Sequence, residues 1–235
     1  MSQMKPLGED RDTFMQRVRD ALGRAQTEAP AEPAPEVDEA VVRLASSDDD
    51  LITMFADRAE VVGMHVHRVR QSDAAAKVCE LLREAQAHCV GIAAGATGEQ
   101  IGLEPSVREA GLEIADWRSG PGMSGQYELD AGITDVHAAL AETGTLIVCS
   151  GPRHARGLSL APPTHIALVR STDILPDMID YWRRLQGIPH TELPSSQALI
   201  TGPSKTADIE GELITGVHGP GRVEIVVINE QNART

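Results

Sequence analysis

Apolar residues recur with a helical period near the start of the chain. Within residues 9–25 they fall at i, i+4, i+7 and i+8, so one face of a helix over that range is apolar. These positions are Phe14, Val18, Ala21 and Leu22. The stretch 27–40 is rich in proline, alanine and glutamate, a composition typical of a semi-extended linker. We therefore expect a helical arm over residues 1–26, a linker over 27–40 and a single α/β domain over 41–235.

Shorter helical and strand patterns begin the predicted domain. Ser47, with Asp50 three residues later, resembles a capping box and predicts a helix through Ala59. A second helix is expected from a Ser72 cap to Ala87, and the segment Val61–Val69 between the two helices is typical of a strand.

Apolar runs and helical patterns alternate through the rest of the chain. Strands are expected at 89–94, 112–115, 145–150, 165–169, 197–201 and 223–228, and helices at 104–110, 176–186 and 206–213. A short, wholly apolar run is typical of a strand that is buried in a parallel sheet. The alternation therefore predicts an α/β fold with a mostly parallel sheet covered by helices on both faces.

Charge and composition narrow the classes of function. The chain has 21 basic and 35 acidic residues, a net charge of −14, whereas nucleic-acid binding needs a basic face, so we expect no nucleic-acid partner. No apolar run approaches the roughly 20 residues that cross a bilayer, and the first residues lack the apolar segment of a secretory signal. We expect a cytoplasmic protein with no membrane span. The 3 cysteines are scattered without a CxxC pair, so we expect no metal centre and no cofactor.

Two patterns that resemble binding motifs are better explained by structure. GIAAGATG, at 91–98, lacks the middle glycine of the dinucleotide fingerprint because Ala93 stands there, and it predicts a tight turn from a strand to a helix. His65 and His67 lie on the same side of a predicted strand and could chelate a metal, but the sequence specifies no third ligand.

Glu142 is the candidate reactive carboxylate. It begins the segment Glu142-Thr143-Gly144-Thr145, between a helix-like AALA and an apolar strand. A glycine flanked by hydroxyl residues is explained by turn chemistry alone. A carboxylate beside backbone N–H groups that Gly144 leaves accessible could equally serve as a nucleophile or a base. Both interpretations stay open at this stage.

The segment Gly202–Asp208 predicts an anion-binding loop at the start of a helix over Thr206–Leu213. The first turn of a helix leaves about four N–H groups unpaired and carries roughly +0.5 charge. Gly202 and Pro203 would shape the turn, and Ser204, Lys205 and Thr206 would supply hydroxyl donors and one cation. Because Asp208 would repel an anion, we expect it to orient the loop, with the ligand on its far side.

A second basic segment lies at 151–169. It contains Arg153, His154, Arg156 and His165 in an otherwise acidic protein, which indicates an anionic ligand or an acidic partner surface, or else ordinary ion pairing. If the two strands concerned are adjacent, Arg156 and His165 are the side chains expected to complete the pocket of the anion-binding loop.

Three blocks of sequence together resemble the LUD-domain family, most closely its short LutC-type members. The blocks are GITDVHAALAETGTLIV (132–148), ARGLSLAPPTHIALV (155–169) and TGPSKTADIEGELITGVHGPGRVEIVV (201–227), in the family's order. The resemblance implies the fold group of ribose-phosphate isomerases, CoA transferases and 5-formyltetrahydrofolate cyclo-ligases. It also implies a role in oxidising L-lactate to pyruvate with partner subunits that carry iron–sulfur ligand motifs. The candidate ligand-binding residues in these blocks are Thr143, Gly144, Thr145, Arg156, Ser159, His165, Gly202, Pro203, Ser204, Lys205, Thr206, Asp208 and His218.

Two classes of function follow from these observations. In the first, which the resemblance favours, the chain is a non-redox subunit that assembles with iron–sulfur partners and binds a small anion such as lactate. In the second, the chain is a free-standing transferase or cyclo-ligase-like enzyme that uses Glu142 as its reactive carboxylate.

Overall fold

The chain falls into two compact units, with the boundary between Val42 and Arg43. The computed structural model describes residues 10–23, 38–117, 124–151, 154–189, 191–207 and 213–229. Most of the predicted linker lies outside these residues, so the division into arm, linker and domain stays a prediction.

The first unit contains the predicted N-terminal helix. This helix, α1 (Arg11–Ala21), begins at Asp10, whose carboxylate accepts the N–H groups of Asp12 and Thr13. No residue of α1 is buried, and Phe14 is 46% exposed. A short second helix, α2 (Glu39–Val42), ends the unit.

The second unit holds the remaining helices and strands. Its helices are α3 (Leu51–Val61), α4 (Ala74–Glu84), α5 (Gly95–Gln100), α6 (Leu103–Glu109) and α7 (Met178–Leu185). Its strands are β1 (His65–Arg70), β2 (Cys89–Ala93), β3 (Glu113–Ile114), β4 (Ala131–Asp135), β5 (Ala138–Leu140), β6 (Thr145–Cys149), β7 (Thr164–Arg170), β8 (Ile174–Leu175), β9 (Gln197–Ile200), β10 (Lys205–Ala207), β11 (Leu213–Thr215) and β12 (Arg222–Asn229).

A six-stranded parallel sheet forms the centre of this unit. Its strand order is β1-β12-β7-β4-β2-β3, and every neighbouring pair is parallel. Helices α4 and α6 pack on one face of the sheet, where Leu81, Leu82 and Val107 share one core cluster with inward side chains of the large sheet. The predicted class, a mostly parallel α/β fold, is confirmed.

The other face of the sheet is covered by α3 together with a second sheet. This smaller sheet has the order β8-β5-β6-β9, in which β6 is antiparallel to both of its neighbours. Phe55 of α3 and Leu146 of β6 are fully buried against Ile225 and Val227 of the large sheet. Helix α7 packs on the far side of the small sheet, through Tyr181. The sequence predicted one mostly parallel sheet, so this second sheet was not expected.

The predicted helix over Thr206–Leu213 is wrong at those of its residues that the structure describes, Thr206, Ala207 and Leu213, which lie in strands. Strands β10 and β11 pair as an antiparallel hairpin in which Thr206 lies opposite Ile214. A helix of eight residues is marginal without tertiary packing, whereas β-branched side chains favour cross-strand pairs. The hairpin is also held at its base, because Gly216 N–H donates to Ser204 O at 2.8 Å. Asp208 lies outside the described residues.

Three smaller predictions also need correction. Asp50, and not Ser47, caps α3, because its carboxylate accepts both the N–H and the hydroxyl of Thr53. Ser72 does not cap α4: its hydroxyl donates to Asp73, and a 3-10 turn separates it from the helix. The helix-like AALA contributes β5, which is buried between the large sheet and α7.

Candidate functional site

A cavity of about 710 Å³ lies where the chain passes between the two sheets. The chain leaves β4 of the large sheet for β5 of the small one at residues 136–137, and it returns from β6 to β7 through residues 150–163. The cavity is lined by Gln126, by His137 on the outward crossing and by residues 149–151 and 154–157 on the return. Residues 191–195, which precede β9, complete the lining.

An aspartate–histidine pair stands at this cavity. Asp135 is the last residue of β4, and its Oδ1 lies 2.6 Å from Nε2 of His154. Both side chains are partly buried, with 19% and 27% of their surfaces exposed. Backbone bonds between Gly151 and His154, at 3.0 and 3.1 Å in the two directions, fix the turn that carries the imidazole. Gly95, in the predicted turn after β2, makes room for the pair: a Cβ atom there would lie 2.9 Å from Asp135 Oδ2.

Arg156 lies two residues further along, in a 3-10 turn over Arg156–Ser159. The buried hydroxyl of Ser159 donates to Arg156 O at 3.1 Å and so stabilises the turn. The turn packs directly on β4 at Gly132, where a Cβ atom would lie 1.8 Å from Leu158 O. A glycine at this position of β4 is therefore required for Arg156 to line the cavity.

Gln126 supplies a buried amide at the cavity. Only 5% of its surface is exposed, and its Oε1 has no hydrogen-bond partner among the described residues. A buried acceptor without a donor costs about 1–3 kcal/mol. The amide therefore carries a local cost to the fold beside the cavity, and its Oε1 has almost no accessible surface.

Two further titratable groups at the cavity have shifted pKa values. Burial of the ring lowers the pKa of His137 and Arg184 lowers it further, against the opposing effects of Asp173 and Asp135. The ring packs edge-on against Tyr181, with centroids 5.9 Å apart. Burial likewise raises the pKa of the Cys149 thiol, so the group stays protonated at neutral pH and is a poor nucleophile.

The structure brings the first and third sequence blocks together, but not at this cavity. Thr143 Oγ1 lies 2.6 Å from Thr145 Oγ1, which in turn lies 2.8 Å from Thr201 Oγ1, because β6 pairs with β9. Glu142 is partly buried beside this chain of hydroxyls, and its N–H donates to Pro176 O. Glu142 is not among the residues that line the 710 Å³ cavity, and its role stays a prediction.

Gly144 serves packing rather than access to the backbone. Its N–H donates to Leu140 O at 2.9 Å, so this N–H group is not available to a ligand, contrary to the sequence hypothesis. Its φ is +66°, and a Cβ atom there would lie 2.4 Å from Ala59 N in α3. A glycine is needed here because the turn rests on the helix backbone.

The predicted anion-binding loop lies against the wrong end of a helix. Lys205 Nζ donates to Val62 O at 3.4 Å, and a Cβ atom at Gly202 would lie 2.9 Å from the same oxygen. A helix C-terminus carries partial negative charge, which attracts the ammonium group and repels an anion. Thr206 lies in β10 and not at the start of a helix, so the described part of the loop does not offer the free N–H groups of a first helical turn. Pro203 packs near Gly63, and Ser204 N–H donates to Pro220 O.

His165 cannot complete that pocket. It is fully buried in β7, its Nε2 bonds Thr134 Oγ1 at 2.9 Å, and burial lowers its pKa to about 4, so the ring is neutral. The required adjacency of strands is also missing, because β7 belongs to the large sheet and β9 to the small one. His218 is exposed in the loop that precedes β12. Among those predicted ligand-binding residues that the structure describes, Arg156 alone lines the cavity.

His65 and His67 do not form a metal site with a third ligand. His67 Nε2 lies 2.7 Å from Glu224, a buried carboxylate that also accepts from Arg222, while His65 is exposed. Within the described ranges, no group of three or more His, Cys, Asp or Glu side chains is placed to hold a metal ion.

The sequence did not indicate His137, Gln126 and Cys149, which line the cavity, or Asp135, which holds His154. Asp135 and His137 belong to the first of the three family blocks, in which the candidate residue was Glu142. The cluster of positive charge at 151–169 was a correct signal for His154 and Arg156, while Arg153 lies outside the described residues. Among the helices that the structure describes, none is long and apolar enough to cross a membrane.

Comparison with known proteins connects this geometry to a family. Lactate utilization protein C from Halalkalibacterium halodurans is 29% identical over 229 residues, covering 94% of this chain and 98% of that protein. The protein of the same name from Bacillus velezensis is 28% identical, with 97% of this chain and 99% of that protein covered. The crystal structure of a DUF162 family protein from Deinococcus radiodurans has the same fold, with a TM-score of 0.59 at 22% identity over 76% of this chain and 96% of that one. The family profile of the LUD domain matches residues 52–228, which is most of this chain, and the chain therefore belongs to the LUD-domain family.

Proposed function

We propose that this protein is a non-redox subunit of an L-lactate utilisation system, in which iron–sulfur partner proteins oxidise lactate to pyruvate. The observation that carries the proposal is the alignment, over nearly the full length of both chains, with relatives named lactate utilization protein C. An alignment that covers 94–97% of this chain must extend into the N-terminal arm as well as across the LUD domain.

The cavity suits a small carboxylate ligand. Its lining includes Arg156 and His154, and the imidazole of His154 is held by Asp135. A guanidinium binds carboxylates through paired hydrogen bonds. The chain as a whole carries a net charge of −14, so an anion needs such a local cation to approach this surface.

The chemistry of the lining supports the assignment of ligand binding and electron transfer to different subunits. Oxidation of lactate to pyruvate releases two protons and two electrons. Arginine, histidine and glutamine side chains can hold a carboxylate and exchange protons, but they do not accept electrons. We therefore assign electron transfer to the iron–sulfur partners and substrate or product binding to this chain.

A deletion strain tests the proposal. Loss of the chain should abolish growth on L-lactate but not on pyruvate, and the wild-type chain supplied in trans should restore it. Mass spectrometry of a native pull-down with the tagged chain should recover proteins with cysteine-rich iron–sulfur motifs. Growth of the deletion strain on lactate would contradict the role, and turnover by the purified chain alone would favour a free-standing enzyme that uses Glu142.

A further inference from the structure

The hairpin of β10 and β11 stands apart from both sheets of the domain. Among the described residues its two strands pair only with each other. All three residues of β11 are exposed, and Leu213 and Ile214 are 65% and 44% exposed. The hairpin belongs to the third sequence block, none of whose described residues lines the cavity. A two-stranded hairpin is marginally stable in water, so a further strand added to it would stabilise it.

The outer edge of β11 presents backbone groups that β10 does not use. In an antiparallel pair, residues that exchange hydrogen bonds alternate with residues whose N–H and C=O groups point away from the partner strand. Gly216 N–H donates to Ser204 O at 2.8 Å, which places the bonded pairs at the even-numbered residues of β11. Leu213 and Thr215 therefore direct their N–H and C=O groups outward. The described part of the chain supplies no backbone partner for these groups.

This edge lacks the features that protect other strand edges of the domain. Edge strands are protected by charged side chains or proline, or by being covered. At the edge of the large sheet, β1 carries His65, Arg68 and Arg70. At the edge of the small sheet, β9 is partly buried at three of its four residues. Strand β11 has neither a charge nor a proline, and Ile214 and Thr215 are β-branched, which favours pairing with another strand.

Charge determines which kind of protein this edge can accept. The chain has a net charge of −14, and in the sequence of segment 205–217 the acidic residues Asp208, Glu210 and Glu212 outnumber Lys205. The Lys205 ammonium group is engaged by Val62 O, at the C-terminus of α3. A second copy of the chain would bring the same negative charge to the edge and be repelled, whereas a basic surface would be attracted.

We propose that the outer edge of β11 binds an extended strand of a partner protein whose surface around that strand is basic. The partner strand pairs with the outward N–H and C=O groups of Leu213 and Thr215, in the manner of strand addition to a sheet edge. Its apolar side chains cover Leu213 and Ile214, which lie on opposite faces of the hairpin. That the partner is an iron–sulfur protein rests on the proposed function. The docking edge itself rests on the geometry of the hairpin.

Hydrogen–deuterium exchange locates the contact. The protein that co-purifies with the tagged full chain is purified, and its complex is compared with the free chain. Amides of Leu213 and Thr215 should exchange about tenfold more slowly in the complex, because their N–H groups become bonded. Amides of β1, at a charged edge, should keep their exchange rates.

Two substitutions of Leu213 test the basic character of the partner. Leu213→Lys and Leu213→Glu both remove the apolar side chain, but they add opposite charges to the same edge. In calorimetry with the purified partner, Leu213→Lys should weaken binding at least about tenfold more than Leu213→Glu. Thr215→Pro removes one outward N–H and should also weaken binding by about tenfold or more. The matched control is Leu44→Ser, at an apolar residue that is 74% exposed outside the hairpin, which should leave the affinity unchanged.

Urea unfolding of each free variant shows whether it folds, and the exchange measurement on the wild-type complex needs no variant. Equal weakening by the two Leu213 variants would overturn the basic partner, and unchanged affinity or unchanged exchange at Leu213 and Thr215 would overturn the docking edge. A wild-type dimer in light scattering that both Leu213 variants dissociate would place a second copy on the edge and overturn the proposal, as would recovery of no protein whose binding depends on Leu213. If the deletion strain fails to grow on lactate while the Leu213 variants keep their partner, the role in lactate utilisation stands and the docking edge falls. If the strain grows while Leu213→Lys loses a bound protein that Leu213→Glu retains, the docking edge stands and the proposed function falls.

Discussion

Replacing Gly132 by alanine should be among the most damaging single-methyl changes in the protein. Gly132 is the second residue of β4 and lies opposite Gly91 of β2, and the 3-10 turn that carries Arg156 rests on both strands. A Cβ atom at Gly132 would lie 1.8 Å from the carbonyl oxygen of Leu158 and 2.7 Å from its carbonyl carbon. The obstacle is backbone, so rotation of a side chain cannot relieve it.

The loss of unfolding free energy expected for Gly132→Ala can be compared with that expected for the matched variant Gly91→Ala. To reach even 3.0 Å the carbonyl would have to retreat by about 1.2 Å, and Leu158, now fully buried, would lose part of its packing. Overpacking costs about 1–3 kcal/mol and burial of a leucine contributes about 1.5–3 kcal/mol. We expect a loss of about 3–4 kcal/mol for Gly132→Ala. Gly91→Ala meets only the methyl ends of Leu158 and Leu129, at 2.5 and 2.7 Å, and should cost about 1 kcal/mol.

Equilibrium unfolding in urea, followed by circular dichroism and tryptophan fluorescence, measures both values. Trp117 is a suitable probe because its Nε1 donates to Ile92 O, next to the cluster that contains Leu158. Calorimetry with L-lactate should show weaker binding for Gly132→Ala, since Arg156 moves with the turn, and unchanged binding for Gly91→Ala. Free energies of unfolding within 1 kcal/mol of each other, or equal affinities for lactate, would refute the argument that Gly132 places the turn.

Three further changes test other parts of the structure. Gly144→Ala should cost about 2–4 kcal/mol in urea unfolding, whereas Gly111→Ala, at φ +80° with open space around its Cβ, should cost only about 1 kcal/mol; equal losses would show that contact with α3 is unimportant. Because the pKa of His165 is about 4 when folded and 6.5 ordinarily, the unfolded chain takes up this proton first as pH falls. The contribution of His165 to the free energy of unfolding should therefore be fully present above pH 6.5 and should fall by roughly 3 kcal/mol as the pH is lowered to 4. His165→Gln should flatten this decline, and parallel plots of unfolding free energy against pH for the two proteins would contradict the prediction. Glu142→Gln should leave calorimetric binding of L-lactate unchanged because Glu142 does not line the cavity, and loss of growth on lactate would return the carboxylate to a functional role.

The parallel sheet could be predicted because its signal is local. A strand that is buried on both faces is a continuous apolar run, and the runs at 89–94, 165–169 and 223–228 coincide with β2, β7 and β12 to within one residue at either end. The helix at 176–186 could likewise be predicted from its length and period, and it corresponds to α7. In each case the residues that decide the structure are neighbours in sequence.

The second sheet and the hairpin could not be predicted in this way, because their partners are distant in sequence. An apolar run such as TLIVCS does not specify whether its neighbours are parallel or antiparallel, and Leu146 pairs with Ala139 on one side and with Ile200 on the other. Alanine favours helices in isolation, so AALA was expected to be helical, but its burial between two layers determines its structure. Tertiary packing overrode propensity in both cases.

The site shows why a sequence block is not a structural unit. The block 132–148 begins in the large sheet and ends in the small one, so Asp135 bonds the cavity residue His154 while Gly144 rests on α3, although only nine positions separate them. The cavity is lined where the chain crosses between the sheets, because residues at a crossing belong to neither layer and their side chains lie in the gap. His137 on the outward crossing and His154 on the return meet the cavity for this reason. A single sheet, as the sequence predicted, has no such crossings, so the candidates were placed instead on strand ends and on a helix that does not form. Once the two sheets are known, the polar residues at the crossings become the first ones to test.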